Sequence, residues 1–202
     1  MNVVVGLGNP GPRFEGTRHN AGFLVVEELA RRHGARFRRE GRGDAAREEA
    51  RAVLTTGEGP VELLLVKPQS YMNLSGTPVQ AVLTRTRTPL GDLLVVHDDV
   101  DLPLGRLRFK QGGGAGGQKG VKDVIARLGP GFLRLKVGVS RPPPGWATEG
   151  WVLSRFRPEE RELLDRVVAA AADAVETLYR EGLEAAMNRT NGLDLAASVT
   201  EG

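Results

Sequence analysis

The sequence predicts an α/β fold, a single-domain three-layer sandwich in which a mixed, mostly parallel twisted sheet is flanked by helices. Apolar segments of strand length alternate along the chain with longer segments of helical periodicity. The 202 residues suit one hydrophobic core, and we find neither an internal repeat nor a linker that would divide them. We therefore expect one domain over residues 1–190, followed by a C-terminal tail over residues 191–202.

Six segments predict β-strands. Four of them are rich in β-branched residues and leucine, as the buried strands of a parallel sheet are. Two others alternate apolar and polar side chains, which is typical of strands with one buried face, and we expect them to pair beside the first four. The first four segments are residues 3–5, 61–66, 93–96 and 133–139, and the other two are residues 51–56 and 107–110.

Helical periodicity recurs between these strands. Apolar residues three and four positions apart predict helices that lay one face on the sheet. The longest helix has a clear start, because Pro158 fits a first turn and the acidic residues after it suit the positive end of a helix. Gly182 marks its end. The predicted helices cover residues 21–33, 74–84, 120–128, 158–181 and 183–189.

The composition excludes several classes of function. With 40% apolar and 26% charged residues, the chain has the balance of a globular protein. It contains no cysteine, which excludes disulfides, Cys-ligated zinc and thiol nucleophiles and favours a cytoplasmic location. Three histidines without His-rich spacing predict no metal site, and we expect no cofactor. The sequence shows no signal peptide and no long apolar stretch, so we expect neither export nor membrane insertion.

Basic residues gather in one part of the chain. The formal net charge is +3 and the isoelectric point is about 9.6, a balance that suits a polyanionic partner such as nucleic acid. A solvated protein surface has the same charge pattern, so charge alone leaves both interpretations open. The basic cluster comprises Arg31, Arg32, Arg36, Arg38, Arg39 and Arg42.

A glycine-rich turn follows the first predicted strand. Gly6, Gly8 and Gly11 match the G-x-G-x-x-G spacing of dinucleotide-binding proteins, so an oxidoreductase of that type is one alternative. That fingerprint needs a helix to begin within it, whereas Pro10 and Pro12 remove N–H donors and force a turn. The segment therefore predicts a turn more strongly than a nucleotide site.

Two strand ends supply a candidate acid–base pair. His19 follows the glycine turn, and Asp98 follows the strand at residues 93–96. Ligands of α/β proteins bind at the carboxyl ends of strands, where a carboxylate can fix the tautomer of an imidazole and stabilise its charged form. Alternatively, His19 caps a helix and Asp98 caps a loop together with Asp99. His97 is a second candidate base, although neighbours in a strand point in opposite directions, so only one of His97 and Asp98 easily faces the site.

The sequence offers no activated serine, since none lies in a G-x-S-x-G pattern, and a hydrolase of this sequence would use an activated water. Tyr71 and Asn73 follow one strand, while Lys119 and Lys122 follow the glycine run at residues 112–117. Such rings, amides and lysines are the residue types that bind single-stranded RNA. Each is a weak signal alone, because a single tyrosine often belongs to a core and an asparagine at a helix start is often a cap.

Five ordered segments are together far more specific than any one of them. They are residues 5–11 (VGLGNPG), 17–22 (TRHNAG), 67–76 (KPQSYMNLSG), 97–105 (HDDVDLPLG) and the glycine run through residue 123. In this order they resemble the bacterial-type peptidyl-tRNA hydrolase family. The resemblance implies a phosphorylase/hydrolase-like fold, a monomer, and hydrolysis of the ester that joins a peptide or N-blocked amino acid to tRNA, which recycles the tRNA.

The resemblance also implies roles for individual residues. His19 looks like the catalytic base, Asp98 like the carboxylate that keeps it basic, and Asn9 like the residue that senses a blocked amino group. Further matched positions contact the tRNA, and at one of them phenylalanine replaces a commoner tyrosine. These are Phe14, Tyr71 and Asn73 for the acceptor end or peptide, with Lys110 and Lys136 for the terminal phosphate.

Position 119 departs from the family pattern. The family commonly has G-G-H-N-G where this chain has Gly116-Gly117-Gln118-Lys119-Gly120, so Lys119 replaces an asparagine that contacts the substrate or the catalytic water. A charged lysine donates hydrogen bonds but accepts none, which leaves its role at this substrate-binding position open. The departure also keeps a second class of function open, a non-catalytic RNA-binding or ribosome-associated module on the same fold.

Overall fold

The computed structural model describes residues 1–197 and has a seven-stranded sheet in the order β2-β3-β4-β1-β5-β7-β6. The neighbours β4, β1, β5 and β7 run parallel, whereas β3 and β6 pair antiparallel to theirs, so five of the seven strands point the same way. The strands are β1 Asn2–Gly6, β2 Arg38–Glu40, β3 Arg47–Thr56, β4 Gly59–Pro68, β5 Leu93–Asp99, β6 Leu107–Gln111 and β7 Leu133–Gly138.

Helices cover both faces of this sheet and complete the predicted three-layer sandwich. On one face, Val4 and Leu94 lie in a core formed with α1, α5 and α6; on the other, Val3 and Val95 pack against α2 and α3. Burial on both faces explains why the central strands are continuously apolar instead of alternating. The helices are α1 Ala21–Arg32, α2 Gly76–Thr86, α3 Lys119–Leu128, α4 Thr148–Val152, α5 Arg161–Glu181 and α6 Leu183–Thr190.

The predicted elements are all present, but several boundaries differ: β3 begins at Arg47 instead of residue 51, and β5 continues to Asp99 instead of ending at residue 96. Residues Met72–Leu74 and Pro158–Glu160 form separate 3-10 turns, so α2 and α5 begin later than predicted. Two elements were not predicted. β2 consists of three exposed charged residues and therefore has no apolar periodicity, and α4 is a single short helix of five residues.

The basic cluster divides into two parts. Arg31 and Arg32 form ion pairs with Glu28, and Arg32 also pairs with residues of α5. The hydrogen bond from Arg31, together with Arg32, holds the pKa of Glu28 at about 2. Arg32 therefore joins α1 to α5 and Arg31 pairs within α1, whereas Arg36, Arg38, Arg39 and Arg42 are exposed to solvent.

Residues after the predicted boundary at 190 contact the domain. Asn191 accepts a hydrogen bond from the backbone N–H of Phe109 in β6, and the Leu195 N–H donates to the carbonyl of Gly105. The division of the chain at residue 190 stays a prediction, and residues 198–202 of the predicted tail lie outside the described residues. No helix within residues 1–197 combines the length and apolar character that a bilayer span requires.

Candidate active site

The site forms where β1 and β5 end side by side. Gly6 is in register with Val96, and the Leu7 N–H continues the ladder with a 3.0 Å hydrogen bond to the Val96 carbonyl. Helix α1 comes very close to this point, because a Cβ on Gly6 would lie 2.2 Å from the Gly22 carbonyl oxygen. Only glycine permits such an approach. The 3-10 turn Arg18–Asn20, which precedes α1, is thereby placed over the strand ends.

This turn brings His19 to Asp98. Nδ1 of His19 lies 2.8 Å from Oδ2 of Asp98, and both residues are largely buried. A carboxylate accepts a hydrogen bond, so the geometry assigns the proton to Nδ1 and leaves a lone pair on Nε2. Within residues 1–197 no protein group bonds Nε2, and His19 lines an open cavity. The pair can thus take a proton from a molecule in that cavity.

The second oxygen of Asp98 is also bonded. Gln118 donates from Nε2 to Oδ1 of Asp98 at 3.0 Å, and its own Oε1 accepts from the Val121 N–H at the start of α3. Sequence reasoning gave this glutamine no role. A polar residue between a glycine run and an apolar helix does mark a helix cap, but no sequence pattern shows that its other end reaches a strand nearly twenty residues away.

Asn9 is held by three hydrogen bonds to two residues. Its Oδ1 accepts a 2.7 Å hydrogen bond from the Met72 N–H, while its backbone N–H and carbonyl both bond the Asn20 side chain. No described residue accepts from its Nδ2, and Asn9 lines the same cavity as His19. An oriented amide N–H beside the imidazole is the arrangement that can stabilise a developing oxyanion.

The cavity has a volume of about 580 Å³ and is lined by both apolar and polar side chains. Phe14 and Tyr71 meet edge to face at its rim, with ring centroids 6.2 Å apart. Asn73 and Lys119 also line it, and the Lys119 ammonium lies 3.9 Å from the Glu149 carboxylate, with both side chains largely exposed. Such a pair contributes little stability, so Lys119 can exchange its partner for a ligand.

One wall of the cavity is held to the His19 turn by Arg18. This buried guanidinium donates to Ser154 Oγ and to Glu160 and stacks over Trp151, at 3.6 Å from the ring centroid. Burial lowers the pKa of Arg18. The segment that Arg18 holds contains α4, whose residues Thr148, Glu149 and Val152 face the cavity, and it was missing from the predicted site because α4 itself was not predicted.

His97 lies on the opposite face of β5 from Asp98. Its Nδ1–H donates to the backbone carbonyl of Asp98 at 2.8 Å, while its Nε2 is buried without a partner among residues 1–197. Burial lowers the pKa of His97, so its ring is neutral. The expectation that His97 and Asp98 point in opposite directions agrees with this arrangement.

The two predicted phosphate-binding lysines lie outside the cavity lining. Lys136 is in register with His97 and contacts Asp99, with Nζ 3.4 Å from the carboxylate. Lys110 lies next along the sheet in β6, beside the glycine run. The two lysines therefore lie on neighbouring strands and on the sheet face that His97 shares, and Lys110 pairs with Arg134, further from the carboxyl end of β7 than Lys136 is. Within residues 1–197, no three His, Asp or Glu side chains group together as metal ligands would.

A sandwich with an imidazole–carboxylate pair and an oriented amide at the ends of parallel strands defines the class, an α/β enzyme of hydrolytic type. A family model described as peptidyl-tRNA hydrolase matches residues 3–198. The chain belongs to the peptidyl-tRNA hydrolase family, and the predicted family and fold are confirmed.

Relatives and a solved structure agree with this assignment. A peptidyl-tRNA hydrolase of Rubrobacter xylanophilus is 49% identical over 93% of this chain and 98% of its own length. One of Synechococcus sp. (strain JA-2-3B'a(2-13)) is 47% identical over 100% of this chain and 88% of its own. The crystal structure of peptidyl-tRNA hydrolase from Acinetobacter baumannii superposes with a TM-score of 0.86, at 33% identity and 96% coverage of both chains.

Proposed function

We propose that this chain hydrolyses the ester between tRNA and a peptide or an N-blocked amino acid, with His19 as general base. The observation that carries the proposal is the 2.8 Å contact between His19 and Asp98 beside a cavity of about 580 Å³. It directs the Nδ1 proton to the carboxylate and leaves Nε2 free to accept. Members of the family hydrolyse peptidyl-tRNA, and the His19–Asp98 pair is suited to activating the water that such a hydrolysis needs.

In the proposed reaction, Nε2 of His19 takes a proton from water while the water oxygen attacks the ester carbonyl. Asp98 stabilises the imidazolium that forms. The N–H of Asn9 Nδ2, aided by the amide of Asn73, stabilises the negative oxygen of the tetrahedral intermediate. The C–O bond to the ribose then breaks, and the imidazolium returns its proton to the leaving 3′ oxygen. The products are a free carboxylic acid and tRNA.

The residues around the cavity provide substrate binding in this proposal. Asn9 distinguishes a blocked from a free amino group, since an amide and an ammonium differ in charge and in hydrogen-bonding capacity. Phe14 and Tyr71 offer rings on which the terminal base or a peptide side chain packs. Lys110 and Lys136, on neighbouring strands outside the cavity, bind the terminal phosphate.

Lys119 takes a different role from the asparagine that the family commonly has. Its ammonium cannot accept a hydrogen bond from a water molecule, so it does not orient the nucleophile as an amide oxygen would. Its exposed, weakly paired charge at the cavity rim fits a phosphate of the acceptor end, which would replace Glu149 as its partner. Lys119 is therefore assigned to substrate binding.

The test is release of tRNA from N-acetyl-aminoacyl-tRNA by the purified chain. The proposal expects turnover of this substrate without added metal, and sparing of the same aminoacyl-tRNA with a free amino group. A non-catalytic RNA-binding module would bind both and release neither, which would overturn the proposal. Raising the salt concentration should weaken binding steeply, since each phosphate contact releases counterions.

We further propose that the active form is a cytoplasmic monomer, which analytical ultracentrifugation and cell fractionation test.

A further inference from the structure

Gln118 connects the two halves of the site. Its Nε2 lies 3.0 Å from Oδ1 of Asp98 and 3.3 Å from the sulfur of Met72, and its Oε1 accepts a 2.8 Å hydrogen bond from the Val121 N–H. The side chain is 7% exposed. Since His19 bonds Oδ2, both oxygens of Asp98 have partners. The Met72 backbone in turn holds Asn9, so Gln118 touches the supports of both proposed catalytic groups.

We infer that Gln118 is a positioning residue of the reaction, fixing the Asp98 carboxylate so that one oxygen stays directed at His19. The inference rests on the proposed function. Strand β5 fixes only the Cβ of Asp98, and the terminal torsion of an aspartate is broad, so the backbone alone does not determine the carboxylate plane. A donor on Oδ1 removes that freedom. The donor is itself anchored, because the other end of the same amide caps α3.

The choice of an amide has a chemical consequence. Glutamine is neutral throughout the pH range in which an imidazole titrates, so the support of Asp98 does not change while His19 gains or loses its proton. The charged groups nearest the pair form ion pairs of their own: Lys136 contacts Asp99, and Lys119 contacts Glu149. The titratable residues that line the cavity are His19, Tyr71, His97, Asp98, Asp99, Asp101, Lys119 and Glu149.

The variant Gln118→Glu separates positioning from structural support. The introduced carboxylate can still accept from Val121 and so keeps the helix cap, but when ionised it cannot donate to Asp98 and repels it. We expect kcat at neutral pH to fall about tenfold or more, as for a misplaced catalytic group, with KM nearly unchanged. The extra negative charge also stabilises the imidazolium, so the acidic limb of the kcat/KM profile moves to higher pH, by about one unit.

Two further variants serve as controls for Gln118→Glu. Gln80→Glu makes the same chemical change on the exposed face of α2 and should leave kcat and the pH profile as in the wild type. Gln118→His should restore most of the activity above the range in which the new ring is protonated, because a neutral imidazole also has one donor and one acceptor. Gln118→His also provides a folded variant to measure if Gln118→Glu does not fold.

The ring-proton NMR titration of His19 gives a readout that does not depend on turnover. The inference expects its midpoint to shift to higher pH in Gln118→Glu and not in Gln80→Glu. Wild-type kcat and an unmoved midpoint in Gln118→Glu would overturn it. If the wild type releases no tRNA while the His19 midpoint still shifts, the proposed function fails and the contact of Gln118 with the pair stands.

Discussion

Two imidazoles bond residue 98 from opposite faces of the same strand, and only one of them is suited to catalysis. His19 bonds the Asp98 side chain and its Nε2 is unpaired at the cavity, whereas His97 bonds the Asp98 backbone and, although it also belongs to the cavity lining, its Nε2 is buried. Both have an Nδ1–H donor within 2.8 Å of an oxygen of the same residue. The difference lies in the other nitrogen, since a base must reach its substrate as well as be held in position.

The two faces of β5 therefore have different tasks in the proposed enzyme. On one face, the Asp98 side chain carries the chemistry together with His19. The His97 face carries Lys136, which lies in register with His97 and reaches Asp99. Strand alternation alone produces this division, because successive side chains point to opposite faces. Substitutions on each face should consequently change different measured quantities.

The largest effect is expected from His19→Ala. Loss of the base should lower kcat on N-acetyl-aminoacyl-tRNA by about 100-fold or more, while the variant stays folded and still binds tRNA. Single-turnover kinetics measure the chemical step, and circular dichroism confirms the fold. The control is His33→Ala, whose ring pairs with Glu176 away from the cavity. A folded His19→Ala variant with wild-type kcat would remove His19 from the mechanism.

Asp98→Asn should have the next largest effect. The amide keeps the size of the side chain but removes the charge that stabilises the imidazolium, and it no longer selects the Nδ1–H tautomer. We expect kcat to fall about tenfold to 100-fold, with a smaller change in KM. Asp101→Asn is the matched control, because Asp101 is an exposed carboxylate at the same cavity and contacts Arg141. Equal losses in the two variants would contradict a special role for Asp98.

The sequence predicts those residues of the site whose position follows from neighbouring strands and turns, and it does not predict those that depend on contacts between distant segments. Asn9 and His19 follow an apolar strand and its glycine turn, and Asp98 lies at the carboxyl end of β5, so alternation of strands and helices is enough to bring them to the same edge of the sheet. Gln118 and Arg18 act through contacts with residues that are distant in the sequence. Their neighbours in the sequence predict only a helix cap at Gln118 and a basic loop at Arg18. The edge strand β2 has no apolar period to detect, because both of its faces are exposed.

A change on the His97 face should affect binding and leave the chemistry intact. Lys136→Ala removes one proposed phosphate contact, so KM should rise several-fold while kcat stays near the wild-type value. In a plot of log binding constant against log salt concentration, the magnitude of the slope should decrease by about 0.7 to 0.9, the contribution of one phosphate contact. Arg161→Ala, an exposed charge at the start of α5, is the control. An unchanged salt slope would show that Lys136 does not contact phosphate.

His97→Gln should have the smallest effect on activity, and its consequence should appear in the pH dependence of stability, because the His97 Nε2 is buried. Burial lowers the pKa of His97 below its ordinary value of 6.5, against the smaller opposing influence of Asp98 and Asp99. The unfolded chain therefore binds a proton at this position that the folded chain does not. The wild type should keep full stability above pH 6.5 and lose up to about 1.4 kcal/mol per pH unit from this residue as the pH falls.

In His97→Gln that loss is absent, because glutamine does not titrate. Urea unfolding of both proteins between pH 7 and pH 5 measures the difference. We expect the free energy of unfolding of the variant to fall less steeply with decreasing pH, while kcat at pH 7 remains near the wild-type value. The other two histidines are the same in both proteins, so their contributions cancel in the comparison. A large loss of kcat in the variant would show that His97 also supports the reacting pair, and the clean division between the two faces of β5 would then fail.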